Sequence, residues 1–264
     1  HPIDSFLIAV GERREILLDL TIFEHGDTVY LSNLIRSVPR DIISGTRKPE
    51  EQTPSDAFMA FVVDTSIQPQ DPITNVPSQL QPYSVDTSDI FRHRTKRFMG
   101  MSGSGQMWTI DGEPMDRGKL NDTILVNSKE RWTIVNTTDI SHPFHIHKVQ
   151  FQIVEYIGNA GVDTGNQVHY TYPDLPYYMK GYKDNILVRA GATMSFVADF
   201  DRFPDTEIKP TNGYMYHCHI LTHEDFSMMH QFTVVDSATY FGTSATEEVP
   251  DPVSFNAYPN PAVE

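Results

Sequence analysis

The chain has 264 residues, of which 39% are hydrophobic and 11% aromatic, so it can bury the core of one or two ordinary domains. Its formal net charge of −15 at pH 7 argues against a nucleic-acid partner, because binding to phosphates requires Lys and Arg. No apolar run is long enough to cross a bilayer, and the single cysteine excludes an intrachain disulfide.

The first quarter of the chain contains a turn and several short β-type runs. Residues 10–20 form a turn that leads into an apolar strand, and residues 28–31 and 57–63 are further predicted strands. No basic leader or apolar signal region precedes them. We therefore expect the sequence to begin inside a longer protein.

A change of composition separates this region from the rest of the chain. Residues 68–82 are rich in proline and polar side chains, which predicts an interdomain linker, and we place that linker at residues 68–97. Its last part, residues 92–97, is basic. Nucleic acid or heparin could bind such a cluster, but ion pairs with acidic neighbours or a solvated strand edge are favoured in so acidic a chain.

Residues 98–236 show a regular series of short strands. Alternating side chains, short lengths and turn residues at this spacing predict a Greek-key β-sandwich, and no helical periodicity has comparable strength. The predicted strands are residues 107–110, 123–126, 131–135, 149–154, 185–188, 194–198 and 231–235. Within the series, residues 121–123 (Asn-Asp-Thr) and 136–138 (Asn-Thr-Thr) match the glycosylation pattern, which is common by chance.

Two histidine-rich segments lie in this region. Residues 141–147 read Ser-His-Pro-Phe-His-Ile-His, and residues 217–219 read His-Cys-His after an aromatic run that predicts a strand. Successive side chains of a strand point to opposite faces. Cys218 should therefore face away from its two flanking histidines, so that one strand serves two metal sites back to back.

The cysteine side of this strand has the ligands of an electron-transfer copper site. A thiolate, two imidazoles and a weak axial thioether are typical of blue copper. Cys218, His223 and Met228 supply three of these donors, and His142, which differs in parity from the other histidines of its segment, can supply the fourth. A lone His-x-His pair is more often a surface or packing feature, and a lone buried cysteine is usually a small hydrophobe. The combination is too specific for either interpretation.

These two segments resemble the C-terminal copper motifs of multicopper oxidases, close to the spore-coat laccase and bilirubin oxidase branch. The resemblance implies that type 1 copper is bound by His142, Cys218 and His223 with Met228 axial. It also implies that His145 binds type 2 copper and that the type 3 pair is bound by His147, His217 and His219. His223 would be the edge that faces the substrate, and Glu224 would help to deliver protons to the oxygen site. The alternative for Glu224 is an exposed loop carboxylate.

The resemblance also implies a fold and a domain organisation. We expect an all-β protein with cupredoxin-like Greek-key β-sandwiches. Residues 1–67 would be the C-terminal part of a second cupredoxin-like domain, because a Gly-Glu-Arg turn similar to that at residues 11–13 occurs inside that domain of the family. Residues 98–236 would be the complete C-terminal copper-binding domain. Residues 237–264 would be a tail, and its residues 255–262 resemble the start of the sorting domains of type IX secretion.

The implied function is that of a laccase-like multicopper oxidase. Such an enzyme oxidises phenolic or related reductants one electron at a time at type 1 copper and reduces dioxygen to water at a trinuclear cluster, with four Cu per complete enzyme. Only half of the trinuclear ligands are present in this sequence, so an N-terminal segment of the same enzyme should supply the others. We expect partners limited to dioxygen, a small reductant and that segment, without nucleic acid or a membrane span. The acidic composition and the tail predict a secreted protein, extracellular or periplasmic.

Two alternatives belong to other functional classes. A non-enzymatic copper protein would use the type 1 site alone, for electron transfer or copper storage. A copper nitrite reductase is disfavoured, because His219 directly follows Cys218 at a type 3 ligand position that such reductases do not need.

Overall fold

The computed structural model describes residues 5–38, 42–46, 56–67, 84–100, 108–159, 167–201 and 213–242. The predicted tail beyond residue 242 and residues 68–83 of the predicted linker lie outside these ranges. Within the described residues, no helix is long and apolar enough to cross a membrane.

Fifteen strands and two short helices make up the described part of the chain. The strands are β1 (Thr28–Ser32), β2 (Ile35–Val38), β3 (Ile42–Thr46), β4 (Ala57–Val62), β5 (Ile90–Gly100), β6 (Trp108–Ile110), β7 (Asp122–Leu125), β8 (Ser128–Asn136), β9 (His142–Ile146), β10 (Phe151–Asn159), β11 (Gln167–Thr171), β12 (Asn185–Val188), β13 (Thr193–Phe200), β14 (Tyr214–Cys218) and β15 (Met229–Val235). The helices are α1 (Leu221–Asp225) and α2 (Ser237–Gly242), and a 3-10 turn covers Tyr177–Met179.

Two sheets build a sandwich in the C-terminal part of the chain. One has the strand order β11-β10-β13-β8-β5-β6 and the other the order β12-β9-β14-β15-β7. Their inner faces meet through aromatic side chains: Trp132 contacts Tyr216 with ring centroids 5.3 Å apart, and Phe144 contacts Phe196 at 5.6 Å. Each of these four residues is fully buried, which stabilises the fold by about 1.5–3 kcal/mol per side chain of this size. The predicted all-β sandwich is confirmed.

Strand β5 corrects one predicted boundary. Residues 90–97, assigned to the linker from the sequence, form most of this strand, which pairs in parallel with β8. The sequence does not show the alternation of a strand here, because Arg94 and Lys96 are charged although they point into the protein, where acidic side chains pair with them. Arg94 bonds both Glu130 and Asp122 at 2.6 and 2.8 Å, and Lys96 lies 2.8 Å from Asp122. The favoured ion-pair interpretation of this basic segment is therefore confirmed.

The N-terminal region forms two small antiparallel pairs, β1 with β4 and β2 with β3. The turn before them reaches the sandwich. Arg13 makes two hydrogen bonds to the carboxylate of Asp184 at 2.7 and 2.8 Å, and Arg14 donates to the backbone carbonyl of Tyr178 at 2.7 Å. These contacts bring residues 11–14 to the edge of the sandwich at which β9 and β12 pair.

Strands β9 and β14 are neighbours in the smaller sheet and carry the histidine-rich segments. In their antiparallel register Cys218 is opposite Phe144, and His217 is opposite His145. The inward face of β9 consists of His142, Phe144 and Ile146, all fully buried. His145 is only partly buried and lies on the other face. The alternation predicted for both segments is therefore confirmed.

Candidate metal centres

Three buried donor atoms converge at the inner end of β14. The Sγ atom of Cys218 lies 3.5 Å from Nδ1 of His142 and 3.4 Å from Nδ1 of His223, and the two Nδ1 atoms are 3.2 Å apart. Cys218 and His142 are fully buried, while His223 retains 5% exposure. We call these three residues the inner cluster. One sulfur and two imidazole nitrogens at this spacing fit a soft or borderline metal such as copper.

Backbone hydrogen bonds hold the loop between Cys218 and Met228, which carries His223 of the inner cluster. The Cys218 amide donates to the carbonyl of Met228 at 3.2 Å, and the Met228 amide donates to the carbonyl of His223 at 2.9 Å. Helix α1 lies between them and carries His223 on its buried side. Met228 is fully buried and belongs to the same core cluster as Cys218. Backbone hydrogen bonds of the loop thus hold Met228 close to both Cys218 and His223.

Aromatic rings enclose the inner cluster. The ring of Trp108 lies 5.4 Å from that of His142 and 5.6 Å from that of His223, and Phe98 lies 5.3 Å from His142. Burial lowers the pKa of His142 to about 3, and the neighbouring His223 adds to this effect. His142 is therefore neutral at pH 7, as a metal ligand must be.

A second set of imidazoles lies on the opposite face of the same strands. Nitrogens of His145, His147 and His217 all lie within 4.8 Å of one another, and Nε2 of His147 is 3.2 Å from Nε2 of His217. The ring of His219 is 5.3 Å from that of His145 and 5.4 Å from that of His217. We call these four residues the outer cluster. All four histidines implied for the type 2 and type 3 sites are brought together.

The outer cluster is less enclosed than the inner one. His145 and His147 line a surface depression together with Gln150 and Tyr214. Burial is nevertheless sufficient to lower the pKa of His147 and of His217 to about 4. Both imidazoles are neutral at pH 7 and can donate a lone pair to a metal.

Glu224 lies beside the outer cluster. Its Oε1 atom is 2.5 Å from Nδ1 of His217 and 3.9 Å from Nδ1 of His219. Its side chain is 21% exposed. It is therefore not the exposed loop carboxylate of the alternative interpretation, but a partner of two outer-cluster histidines.

Sequence reasoning missed the groups that support the outer cluster from the N-terminal turn. Nδ1 of His145 donates to the backbone carbonyl of Asp184 at 2.7 Å, and Arg13 holds the carboxylate of the same aspartate. The backbone of Gly11 packs against the ring of His219. The Gly-Glu-Arg turn was the available signal, but it gave no indication of what the turn contacts.

The remaining five histidines belong to neither cluster. His25 lies near Asp64, His169 bonds Glu155, and His230 is buried beside Tyr216. His93 is exposed on β5, and His1 lies outside the described residues. The four described residues are therefore surface or packing residues.

Comparisons with known proteins point to one family. The family profile described as "Multicopper oxidase" matches residues 80–238. A laccase of Bacillus subtilis (strain 168) is 29% identical and aligns with 89% of this chain and 43% of its own length. A bilirubin oxidase of Albifimbria verrucaria is 31% identical and aligns with 93% of this chain and 39% of its own length. This chain thus spans about two fifths of the length of these relatives.

Solved structures agree with the fold. The McoA multicopper oxidase of the hyperthermophile Aquifex aeolicus superposes with a TM-score of 0.57 over 83% of this chain and 42% of its own, at 23% identity. At this identity the likeness concerns the fold alone, and it agrees with the predicted cupredoxin-like architecture.

Proposed function

This chain belongs to the multicopper oxidase family, whose cofactor is copper, and on that premise we propose that it carries the C-terminal part of a laccase-like oxidase. The inner cluster would hold type 1 copper, with Met228 as axial ligand. The outer cluster would supply His145 to type 2 copper and His147, His217 and His219 to the type 3 pair. The remaining ligands would come from an N-terminal segment of the same enzyme.

One observation carries this proposal. Cys218 points into the inner cluster, while the residues on either side of it, His217 and His219, point into the outer cluster. The two candidate centres are therefore joined by the covalent backbone of one residue. A protein that only bound metal at the cysteine would not need four further imidazoles on the opposite face.

Copper bound at these sites would accept single electrons from a phenolic or related reductant and deliver them to dioxygen, which is reduced to water. Within the inner cluster, His223 is the imidazole that keeps some exposure, which supports it as the edge that meets the reductant. Cys218 and His142 are sealed from water by the core. The backbone of residues 217–219 holds the two clusters at a fixed separation.

Glu224 would act on protons at the outer cluster. Its carboxylate contacts His217 and reaches toward His219, at the partly exposed side of the site. A carboxylate there can take a proton from water and present it next to the imidazoles. General acid groups placed in this way typically accelerate proton-coupled steps by about 10²–10⁴-fold.

The open depression beside His145 and His147 supports the need for a second segment. This depression leaves space beside His145 and His147 for further ligands. Oxygen chemistry would then require that segment, whereas the inner cluster is complete in this chain.

Copper content and the visible spectrum of the same purified sample test the proposal. A blue band with about one copper per chain is expected for the chain alone, and about four when the N-terminal ligands are present. No blue band at full copper loading would reject the type 1 assignment. The matched control is Cys218→Ser, which should abolish the blue band and leave the outer-cluster histidines in place.

The completeness of the inner cluster favours one further candidate, a non-enzymatic copper protein for electron transfer or storage. Oxygen uptake with a phenolic reductant separates the two functions. Uptake that depends on the outer-cluster histidines supports the oxidase, whereas a blue protein that consumes no oxygen with the N-terminal ligands present supports the alternative.

We also propose that the protein acts outside the cytoplasm, as a secreted, extracellular or periplasmic enzyme. The support is the acidic composition and the resemblance of residues 255–262 to a sorting domain. Fractionation of producing cells tests this: retention of the protein in the cytoplasm would reject it.

A further inference from the structure

A chain of buried hydrogen bonds leads away from the inner cluster. Nε2 of His142 lies 2.9 Å from Oγ1 of Thr138, and this hydroxyl lies 2.7 Å from Oδ1 of Asn136. Exposure is 0% for His142, 8% for Thr138 and 1% for Asn136. Burial at this depth leaves little room for water to replace any of these bonds.

The direction of the bonds follows from the number of protons. The Thr138 hydroxyl has one proton and four neighbours: the Ile140 amide, which donates to it at 3.4 Å, Asn136 Oδ1, the carbonyl of Ile140 at 3.0 Å, and His142 Nε2. The two oxygens can only accept. If the proton pointed to His142, both short oxygen–oxygen contacts would lack a proton. Thr138 therefore donates to an oxygen and accepts from His142 Nε2–H.

This direction fixes the other nitrogen of the ring. A neutral imidazole carries one N–H, so Nδ1 of His142 keeps its lone pair. That lone pair belongs to the atom 3.5 Å from Cys218 Sγ and 3.2 Å from His223 Nδ1. Thr138 thus holds His142 in the tautomer that a metal at the inner cluster requires.

Asn136 anchors the hydroxyl. Its Nδ2 shares two protons among the carbonyls of Ile140, Val188 and Arg189, which lie at 2.8, 3.0 and 2.9 Å. Its Oδ1 also accepts from the Thr138 amide at 3.0 Å. The three carbonyls fix which side of the amide faces Thr138. The side chain is fully used inside the protein, so the Asn-Thr-Thr pattern at residues 136–138 serves the interior and does not present a glycosylation site in the folded chain.

We propose that Thr138, held by Asn136, is a positioning residue that sets the tautomer and ring orientation of His142 and thereby the copper affinity of the inner cluster. The part about copper rests on the proposed function. Groups that bond the second nitrogen of a ligating histidine typically change metal affinity by about 10–100-fold when removed.

The experiment compares three variants of the full chain. Thr138→Val removes the hydroxyl and keeps the shape, and Thr138→Ser keeps the hydroxyl. Thr137→Val is the matched control, because the adjacent Thr137 hydroxyl bonds the carbonyl of Phe98 at 2.7 Å instead of a histidine. Cu(II) affinity is measured by competition with a chelator, together with the visible and electron paramagnetic resonance spectra.

We expect Thr138→Val to bind Cu(II) about 10–100-fold more weakly, with an altered spectrum. Thr138→Ser and Thr137→Val should resemble the wild type. Unchanged affinity and spectrum in Thr138→Val would overturn the proposal. An equal loss in Thr138→Ser or in Thr137→Val would also overturn it, because the effect would then reflect packing of the turn and not this hydroxyl.

A metal-free measurement keeps this inference separate from the copper assignment. Nitrogen-15 NMR of labelled histidine reports which ring nitrogen carries the proton. The wild type should show His142 protonated at Nε2, and Thr138→Val should show a mixture. A wild-type His142 protonated at Nδ1 overturns the inference. A wild type without a blue band rejects the proposed function, and the NMR result still decides the role of Thr138.

Discussion

The backbone of Gly11 lies directly against the imidazole of His219: a β-carbon added to Gly11 would be 2.4 Å from Cδ2 of that ring. More than two hundred residues separate the two in sequence. Gly11 also has a φ of +79°, a conformation that favours glycine. The adjacent Arg13 holds Asp184, whose carbonyl bonds His145. An N-terminal turn therefore supports two histidines of the outer cluster.

Gly11→Ala should destabilise the chain through this contact. The left-handed conformation alone costs about 1–2 kcal/mol for a residue with a β-carbon. The overlaps with the His219 ring and with Nδ2 of Asn185, which would be 2.6 Å from the added carbon, add to this cost. We expect the free energy of unfolding, measured in urea, to fall by about 2–4 kcal/mol.

Gly191→Ala is the matched control for this substitution. Gly191 has a φ of +66°, but an added β-carbon would meet nothing within 4 Å. Its free energy of unfolding should fall only by the conformational cost of about 1–2 kcal/mol. Equal losses in the two variants would show that the contact between Gly11 and His219 carries no energy.

Lys183→Met should stabilise the protein at neutral pH. Burial, and then the charge of Arg14, lowers the pKa of Lys183 from 10.5 to about 8. Below pH 8 the amine is charged in both states, and the folded state bears the cost of its burial. Between about pH 8 and 10.5 the folded state loses its proton before the unfolded state does, so wild-type stability rises with pH.

The advantage of Lys183→Met should therefore be largest at pH 7 and shrink as the pH approaches 10. We expect about 1–2 kcal/mol at pH 7, less than the full value of about 1.4 kcal/mol per pKa unit, because the amine keeps some contact with water. Urea unfolding at pH 7 and pH 10 measures it. Lys180→Met, at a nearby exposed lysine, is the control and should show no comparable stabilisation. An advantage that stays constant across this range would contradict the assignment.

The inner cluster could be predicted from the sequence because the alternation of side chains along a single strand shows which residues share a face. The two-residue period of a strand separates Cys218 from its flanking histidines, and the same period separates His142 from His145. No such local rule identifies Thr138, Asp184 or Gly11 as their supports, since each acts through a single contact formed only in the fold.

The error at β5 has a related cause. A strand with alternating charges looks like a solvated segment unless the partners are known. Here Arg94 faces inward and is neutralised by Glu130, which comes from the neighbouring strand β8. Trp132, two residues further along β8, donates to the same carboxylate. Ion pairs between strands are not visible in the pattern of one strand.

Met228→Leu should raise the reduction potential of copper bound at the inner cluster and leave the blue band in place. A thioether in the axial position stabilises the oxidised metal more than an apolar side chain does. Met228 is fully buried, and exchange for a side chain of similar volume should cost less than about 1.5 kcal/mol of stability. A potentiometric titration followed at the blue band measures the change.

The neighbouring Met229→Leu provides the control. Met229 is only partly buried, at the start of β15 on the opposite side of the chain. Its substitution should leave the potential unchanged. If Met228→Leu also left the potential unchanged, Met228 would not be the axial ligand.

Glu224→Gln should separate electron transfer from proton delivery. The amide keeps the shape of the side chain and a weak contact to His217, 2.5 Å from the carboxylate in the wild type, but it cannot carry a proton to the outer cluster. If the N-terminal ligands complete the proposed oxidase, we expect oxygen uptake to slow by about 10²–10⁴-fold while the blue band and its reduction by a phenol remain unchanged. The exposed neighbour provides the control, because Asp225→Asn removes a charge from the same helix. Normal oxygen uptake in Glu224→Gln would mean that another group supplies the protons. A lost blue band would mean that Glu224 stabilises strand β14 and does not act in proton delivery.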